Sequence, residues 1–144
     1  AFRIGRKMFR QLMILLDTHV LVWLDQGSER LGKKARRMIE QSHQKEEVAI
    51  AAVSFWEIGM LIEHGRLRFA GSLAEWRVSL LNSGFVELPA DGKVALAAAS
   101  LKGFSGDPVD RLISATALNQ KARLVTADDR LLGHRSLKTI NGLI

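Results

Sequence analysis

The sequence predicts a single doubly wound α/β domain with a central parallel sheet, an α/β/α sandwich. Three observations carry that expectation. Short runs such as 13–16 (MILL) and 48–53 (VAIAAV) are apolar at every position, as strands buried on both faces must be. These runs alternate with stretches whose apolar residues recur at helical spacing, the pattern of βαβ units joined by right-handed crossovers. No linker, repeat or low-complexity tract interrupts the 144 residues, a length that suits one domain able to bury a core without staples.

Taken in order, Met13-Ile14-Leu15-Leu16 is the first strand, stopped abruptly by Asp17. Residues 19–25 (HVLVWLD) read as a helix apolar on nearly every side, which is expected to be covered on two faces. A helix over about 31–42 sets Leu31, Ala35, Met38 and Ile39 on one face and Lys33, Lys34, Arg36 and Arg37 on the other. The second strand spans 48–53, and a helix over 55–64 follows it. A helix over about 73–82 leads to a short strand at Phe85-Val86-Glu87-Leu88, ended by Pro89. Residues 91–101 are alanine-rich and helical, 109–121 form a further helix, and Arg123-Leu124-Val125-Thr126 is a strand. A last short strand lies near 138–140. Gly27, Gly65 and Gly103 stand where turns or helix ends are needed.

The formal net charge is +6, but Arg3, Arg6, Lys7 and Arg10 supply +4 of it from residues 1–12, which hold no acid. From Met13 onward the excess is only +2, so overall charge argues weakly for nucleic acid. Residues 1–12 are read as a basic extension outside the domain at 13–144, and a chain beginning at Met13 is expected to fold and function alone. There is no cysteine, which excludes disulfides and thiolate metal sites and agrees with a cytoplasmic setting. The longest apolar runs, such as 94–101, are too short to cross a bilayer, so no membrane is expected.

In a doubly wound sheet the ligand site lies beyond the carboxyl ends of the strands. Acids recur at those positions. Asp17 ends the first strand, Glu57 comes one turn after the second, Asp107 and Asp110 open the helix at Pro108, and Asp128 and Asp129 follow Thr126. Each has a local explanation. Ser54-x-x-Glu57 is a capping box with Val53 and Ile58 as its staple, Asp107 caps a helix whose first residue is Pro108, and Thr126-x-x-Asp129 has the same form. Jointly, capping explains less, because converging carboxylates repel one another unless a cation neutralises them. A hard divalent ion such as Mg²⁺ accepts a few carboxylates plus waters, and its natural substrate is a phosphate ester. Capping and ligation are compatible, since a capped first turn holds a ligand rigidly.

The string Met13-Ile-Leu-Leu-Asp17-Thr18-His19-Val-Leu-Val-Trp23-Leu24 resembles the start of PIN domains, especially the VapC-type toxins of toxin–antitoxin pairs. Val53-Ser54-Phe55-Trp56-Glu57-Ile58, Asp107-Pro108-Val109-Asp110-Arg111-Leu112-Ile113-Ser114-Ala115-Thr116-Ala117 and Leu124-Val125-Thr126-Ala127-Asp128 resemble their second, third and fourth motifs, in order and spacing. The resemblance implies hydrolysis of RNA phosphodiesters with Mg²⁺ or Mn²⁺, held by Asp17, Glu57, Asp110 and Asp128. It implies Thr18 and Thr126 as supporting polar residues, with Ser54 steadying the turn that presents Glu57. It further implies a homodimer that binds a cognate antitoxin protein. Relatives often carry histidine or arginine just before the Asp-Pro pair, where this chain has Ser105-Gly106, so the substrate contact on that loop departs from the family pattern.

His19 is read as a helix-start residue and His43, His64 and His134 as surface residues. The run Lys33–Arg37 is read as a solvated face. For Arg111 two readings stand: contact with phosphate, or a salt bridge to a neighbouring acid. Trp23, Trp56 and Trp76 are read as core or interface. An aspartyl-phosphate phosphatase would want a second acid two residues after Asp17, where His19 stands, and a receiver domain would want a lysine near 124–127 that is absent. The remaining alternative is a catalytically inactive PIN-like binding module that acts through protein or RNA partners.

Overall fold

A computed structural model describes residues 13–104 and 106–144; the expectations on residues 1–12 and on Ser105 lie outside the described residues. Five parallel strands form one sheet in the order β3-β2-β1-β4-β5, where β1 is Ile14–Leu16, β2 Val48–Ala51, β3 Val86–Leu88, β4 Arg123–Thr126 and β5 Thr139–Asn141. The chain moves outward from β1 through β2 to β3, then returns to the other side of β1 for β4 and β5. The order therefore reverses between β1 and β4, the place where such sheets open a crevice.

Every residue of β1 and β2 is buried, which is why neither strand alternates in polarity. The pleat sends Leu15, Ala49, Ala51 and Leu124 to one face, against Val109, Ile113 and Ala117 of helix α6 (Pro108–Gln120). Ile14, Leu16, Val48, Ile50 and Val125 go to the opposite face. There they meet Val20 and Leu21 of α1 (Thr18–Gln26), Ala35 and Ile39 of α2 (Lys33–Gln44) and Ile58 of α3 (Ala52–Glu63). Two further helices, α4 (Leu73–Asn82) and α5 (Gly92–Ala99), flank these layers, and α5 packs on α6 through Val94, Ala98 and Ala115. Among the described residues no helix is long and apolar enough to cross a membrane.

The sheet ends explain most departures from the expected boundaries. Strand β2 stops at Ala51, two residues short of the expected limit, because its partners run out. β1 pairs as far as Leu16 opposite Ile50, and β3 as far as Leu88 opposite Ala51. Past that point a strand would leave its backbone groups unpaired, so the chain turns at once into α3. That shift corrects the expected capping box. Ser54 lies inside the first turn of α3, whose N-cap position is Ala51 without a side-chain cap. A four-residue helix, α7 (Asp129–Leu132), was not expected, and its cap is Asp128 rather than Thr126. Helix α1 is fully buried only at Thr18, Val20 and Leu21, while Val22, Trp23 and Leu24 are half-buried, so one face is covered completely and not two.

Two glycines have different structural duties. Gly27 ends α1 in the left-handed region at φ 63°, with open space around its Cβ position. Gly32 has ordinary φ, but a Cβ there would overlap the backbone of Ile144, against which the start of α2 is hydrogen-bonded. Gly27→Ala should cost roughly 1 kcal/mol, the usual charge for a left-handed alanine. Gly32→Ala should cost more, because the C-terminal segment must move, and the order of the two losses is checked by urea denaturation. Equal losses would contradict the packing described.

Candidate active site

The centre of the site is a buried carboxylate between the two central strands. Asp17 directly follows β1 and is only 6% exposed. Its N–H donates to the Val125 carbonyl at 2.9 Å, extending the β1–β4 pairing by one residue. The Thr126 hydroxyl donates to its Oδ2 at 2.7 Å, and the Thr18 N–H donates to its Oδ1 at 2.8 Å, so Asp17 is also the N-cap of α1. Burial pushes its carboxyl above the ordinary range and the Asp128 charge adds to this, while the Thr126 and Thr18 hydrogen bonds and nearby His19 oppose it.

Glu57 reaches the same edge from α3, in the second turn. Burial raises its carboxyl, Asp17 and Asp107 raise it further, and hydrogen bonding from the Thr18 hydroxyl and the charge of His19 counter them. Thr18 Oγ1 also lies 2.9 Å from Ser54 Oγ in a hydroxyl–hydroxyl hydrogen bond, with both side chains buried. Ser54 therefore does not act as a cap. It ties α3, which carries Glu57, to the start of α1.

Asp107 and Asp110 divide their work as the helix phase predicts. Asp107 caps α6, accepting the Asp110 N–H at 2.9 Å, with Pro108 as the first helical residue. Asp110 turns inward, with 14% of its side chain exposed. Burial, then the charges of Asp107, Asp17, Asp128 and Glu57, push its carboxyl up to about 7.

The fourth acid is held differently. The Asp128 N–H donates to Thr126 Oγ1 at 3.1 Å, which ties its backbone to the same hydroxyl that holds Asp17. Arg130 then grips it: Nε lies 3.2 Å from Oδ1 and Nη2 2.8 Å from Oδ2, and the Arg130 N–H donates to Oδ1 at 2.9 Å. These hydrogen bonds hold the Asp128 carboxyl below the ordinary range. Arg130 Nη2 is also 3.5 Å from Asp110 Oδ2.

Asp17, Glu57, Asp107, Asp110 and Asp128 together line an open pocket of about 280 Å³ at the carboxyl ends of β1 and β4, with His19, Trp23 and Arg130 at its sides. Among the described residues, no three acidic or histidine side chains are drawn into a ready-made metal cage. Arg111 is corrected. It neither faces the pocket nor pairs with an acid, but donates to the carbonyls of Ala98 and Leu101 from Nη1 and of Phe104 from Nη2, stitching the loop before α6. His43 is corrected too, for it is half-buried and stacked on Phe85 with ring centroids 4.2 Å apart. His134 is half-buried and bonded to the Lys102 carbonyl, while His64 is exposed as expected. Of the basic run, Lys33, Lys34 and Arg37 are exposed and Arg36 binds the Ser28 carbonyl. Trp56 is 60% exposed, whereas Trp76 is half-buried and donates to Asp25. Sequence reading missed Arg130, whose signal was its place two residues after Asp128; His19 stands at the start of α1 as expected and also lines the pocket.

The sequence profile described as the PIN domain matches residues 14–135. Ribonuclease VapC22 of Mycobacterium tuberculosis is 38% identical over 122 residues, covering 85% of this chain and 92% of the relative. Among solved structures, VapBC2 from Rickettsia felis bound to a DNA fragment from its promoter matches with a TM-score of 0.67 at 16% identity, over 90% of this chain and 98% of that one. FitAcB from Neisseria gonorrhoeae matches with a TM-score of 0.62 at 18% identity, over 90% and 98%. A toxin-antitoxin complex from Klebsiella pneumoniae gives 0.58 at 19%, over 90% and 97%. Likeness at these identities speaks to the fold alone.

The raised carboxyl of Asp110 makes a pH-dependent stability cost. Its unfolded value is near 3.8 and its folded value about 7, so the folded protein binds the extra proton between those limits. Stability in EDTA should therefore fall as pH rises from about 4 to 7, by at most about 1.4 kcal/mol per unit. Asp110→Asn removes the cost while leaving the backbone N–H to its cap. Its melting temperature should match wild type at pH 4 and exceed it at pH 8; a gap independent of pH would refute the charge account.

Proposed function

The chain belongs to the PIN domain family, and from that premise we propose that it is a metal-dependent endoribonuclease, the toxin of a toxin–antitoxin pair. The observation that carries the reading is the set of four carboxylates, Asp17, Glu57, Asp110 and Asp128, brought from distant segments to one pocket. Three of them have their carboxyls raised. A stabilising role would not gather like charges at a partly dry edge; a cation-dependent reaction requires it. RNA is favoured as substrate because the mycobacterial relative is a ribonuclease by name.

The donor set fits a divalent ion. All the candidate ligands are hard oxygens, and Mg²⁺ binds through one or two carboxylates while keeping several waters, so no closed cage is needed. Asp17, Glu57, Asp110 and Asp128 would hold Mg²⁺ or Mn²⁺, some of them through water. The bound ion would supply an activated water and neutralise charge on the phosphoryl oxygens. The protein's own part is positioning. Thr126 and the Thr18 N–H fix both oxygens of Asp17, the Thr18–Ser54 bond fixes the approach of Glu57, and the Asp107 cap holds the first turn that carries Asp110.

The partners proposed are a second copy of the chain and an antitoxin, the antitoxin supported by the solved neighbours, which include a toxin–antitoxin complex. Val22, Trp23 and Leu24 on α1 remain half-buried and offer apolar surface to another chain. Sedimentation should show a dimer at micromolar concentration, and a clean monomer at high micromolar would count against it.

Purified protein should cut RNA with Mg²⁺ or Mn²⁺ and stop with EDTA, whereas full activity in EDTA would sink the proposal. Asp17→Asn should abolish cleavage with the fold intact. Asp110→Asn should lose nearly all cleavage, while Asp107→Asn should keep most of it, since Asn caps about as well as Asp. The reverse ranking in paired assays would assign the third acid wrongly.

A further inference from the structure

The carboxylate pocket contains a cation of its own. Among the residues that line it, only His19 and Arg130 carry basic side chains. The other nearby guanidinium, Arg111, is committed to three backbone carbonyls on the far side of Asp110. Arg130 instead forks across both oxygens of Asp128 and spans toward Asp110, from a side chain that is 55% exposed.

That geometry conflicts with a second cation. The Asp128 carboxylate already accepts two hydrogen bonds from the Arg130 side chain and one from its backbone N–H, so an ion binding there competes with the guanidinium for its oxygens. A divalent ion at these acids would meet both a ligand already engaged by arginine and a like charge a few ångströms away. Among the described residues the guanidinium is anchored by the two acids alone, and it sits on an exposed stem in the short helix α7, so leaving requires only rotamer changes. Once released it stays at the pocket rim beside the acids. A phosphodiester anion drawn to the ion must lie there too, and the planar fork of arginine matches phosphate oxygens as well as carboxylate oxygens.

We propose that Arg130 is the resident counter-cation of this site: it neutralises Asp128 and Asp110 while no metal is bound, yields them to the entering divalent ion, and is thereby transferred to the substrate phosphate. The proposal rests on the metal-dependent reading above. It gives one residue two opposed effects. Arg130 weakens metal binding and strengthens the reaction that the metal supports.

The test is Arg130→Gln, with Arg130→Lys as a variant that keeps charge but cannot fork, both assayed as the full chain. Mn²⁺ affinity is read by the EPR signal of the free ion, and RNA cleavage is measured at saturating Mn²⁺. Arg130→Gln should bind Mn²⁺ roughly threefold to tenfold tighter, as expected for removing an exposed but forked pair, yet its kcat/KM should fall by about tenfold or more. In EDTA at pH 8 it should melt below wild type, because its acids lose the arginine that pairs with them. Arg130→Lys should lie between on each measure. Unchanged or weaker Mn²⁺ affinity in Arg130→Gln overturns the counter-cation role, and tighter affinity with undiminished cleavage overturns the transfer to phosphate. Failure of the function itself looks different: neither wild type nor variant binds Mn²⁺ or cuts RNA, and then both proposals fall together.

Discussion

The hydrogen bond from Thr126 to Asp17 is the constraint on which the site depends. It joins residues 109 positions apart in the chain, and it forms only when β1 and β4 lie side by side in the observed register. A slip of one residue would bury Asp17 without its donor or send it to the other face. Because the bond closes just past the last paired residues, it also fixes where β1 stops and where α1 starts. Thr18 then inherits a buried place from which its hydroxyl reaches Ser54, and α3 is drawn in with Glu57.

The site is thus a set of helix starts arranged around one strand end. Asp17 caps α1, Asp107 caps α6 and Asp128 caps α7. Helix N-termini favour negative charge and offer free N–H groups, so each acid is partly satisfied by its own segment before it meets the others. That local satisfaction lets the fold carry a cluster that Coulomb repulsion would otherwise disperse. Its limit shows at Asp110, which does not cap anything and whose carboxyl is pushed up to about 7. Arg130 offsets the remaining repulsion from the solvent side, which leaves the pocket open and the neutralisation reversible.

Much of this was legible in the residues themselves. The apolar runs at 14–16, 48–51 and 123–126 are strands, and the helices at 73–82 and 108–120 begin and end within a residue of expectation. The Asp107-Pro108 pair announced its cap, and the phase between Pro108 and Asp110 announced which acid turns inward. Ser54 shows where local reasoning failed. Its spacing to Glu57 satisfies a capping rule, but β2 loses its neighbours at Ala51 and the helix begins early. Arg111 failed for a related reason. The carbonyls it binds belong to a loop end whose position depends on α5 packing against α6.

By itself the sequence determined the class of fold and the identity of the acids, because polarity patterns and capping chemistry act over a few residues and are written along the chain. Only the tertiary structure decided how those acids share one pocket, which of them are desolvated, and which arginine faces them. Those outcomes depend on strand register and helix docking between segments far apart in sequence, and Arg130 in particular gains its partners from α7 and α6 being brought to the same edge. A carboxylate's proton affinity and an arginine's choice of partner follow from the distances so created, and no local rule contains them.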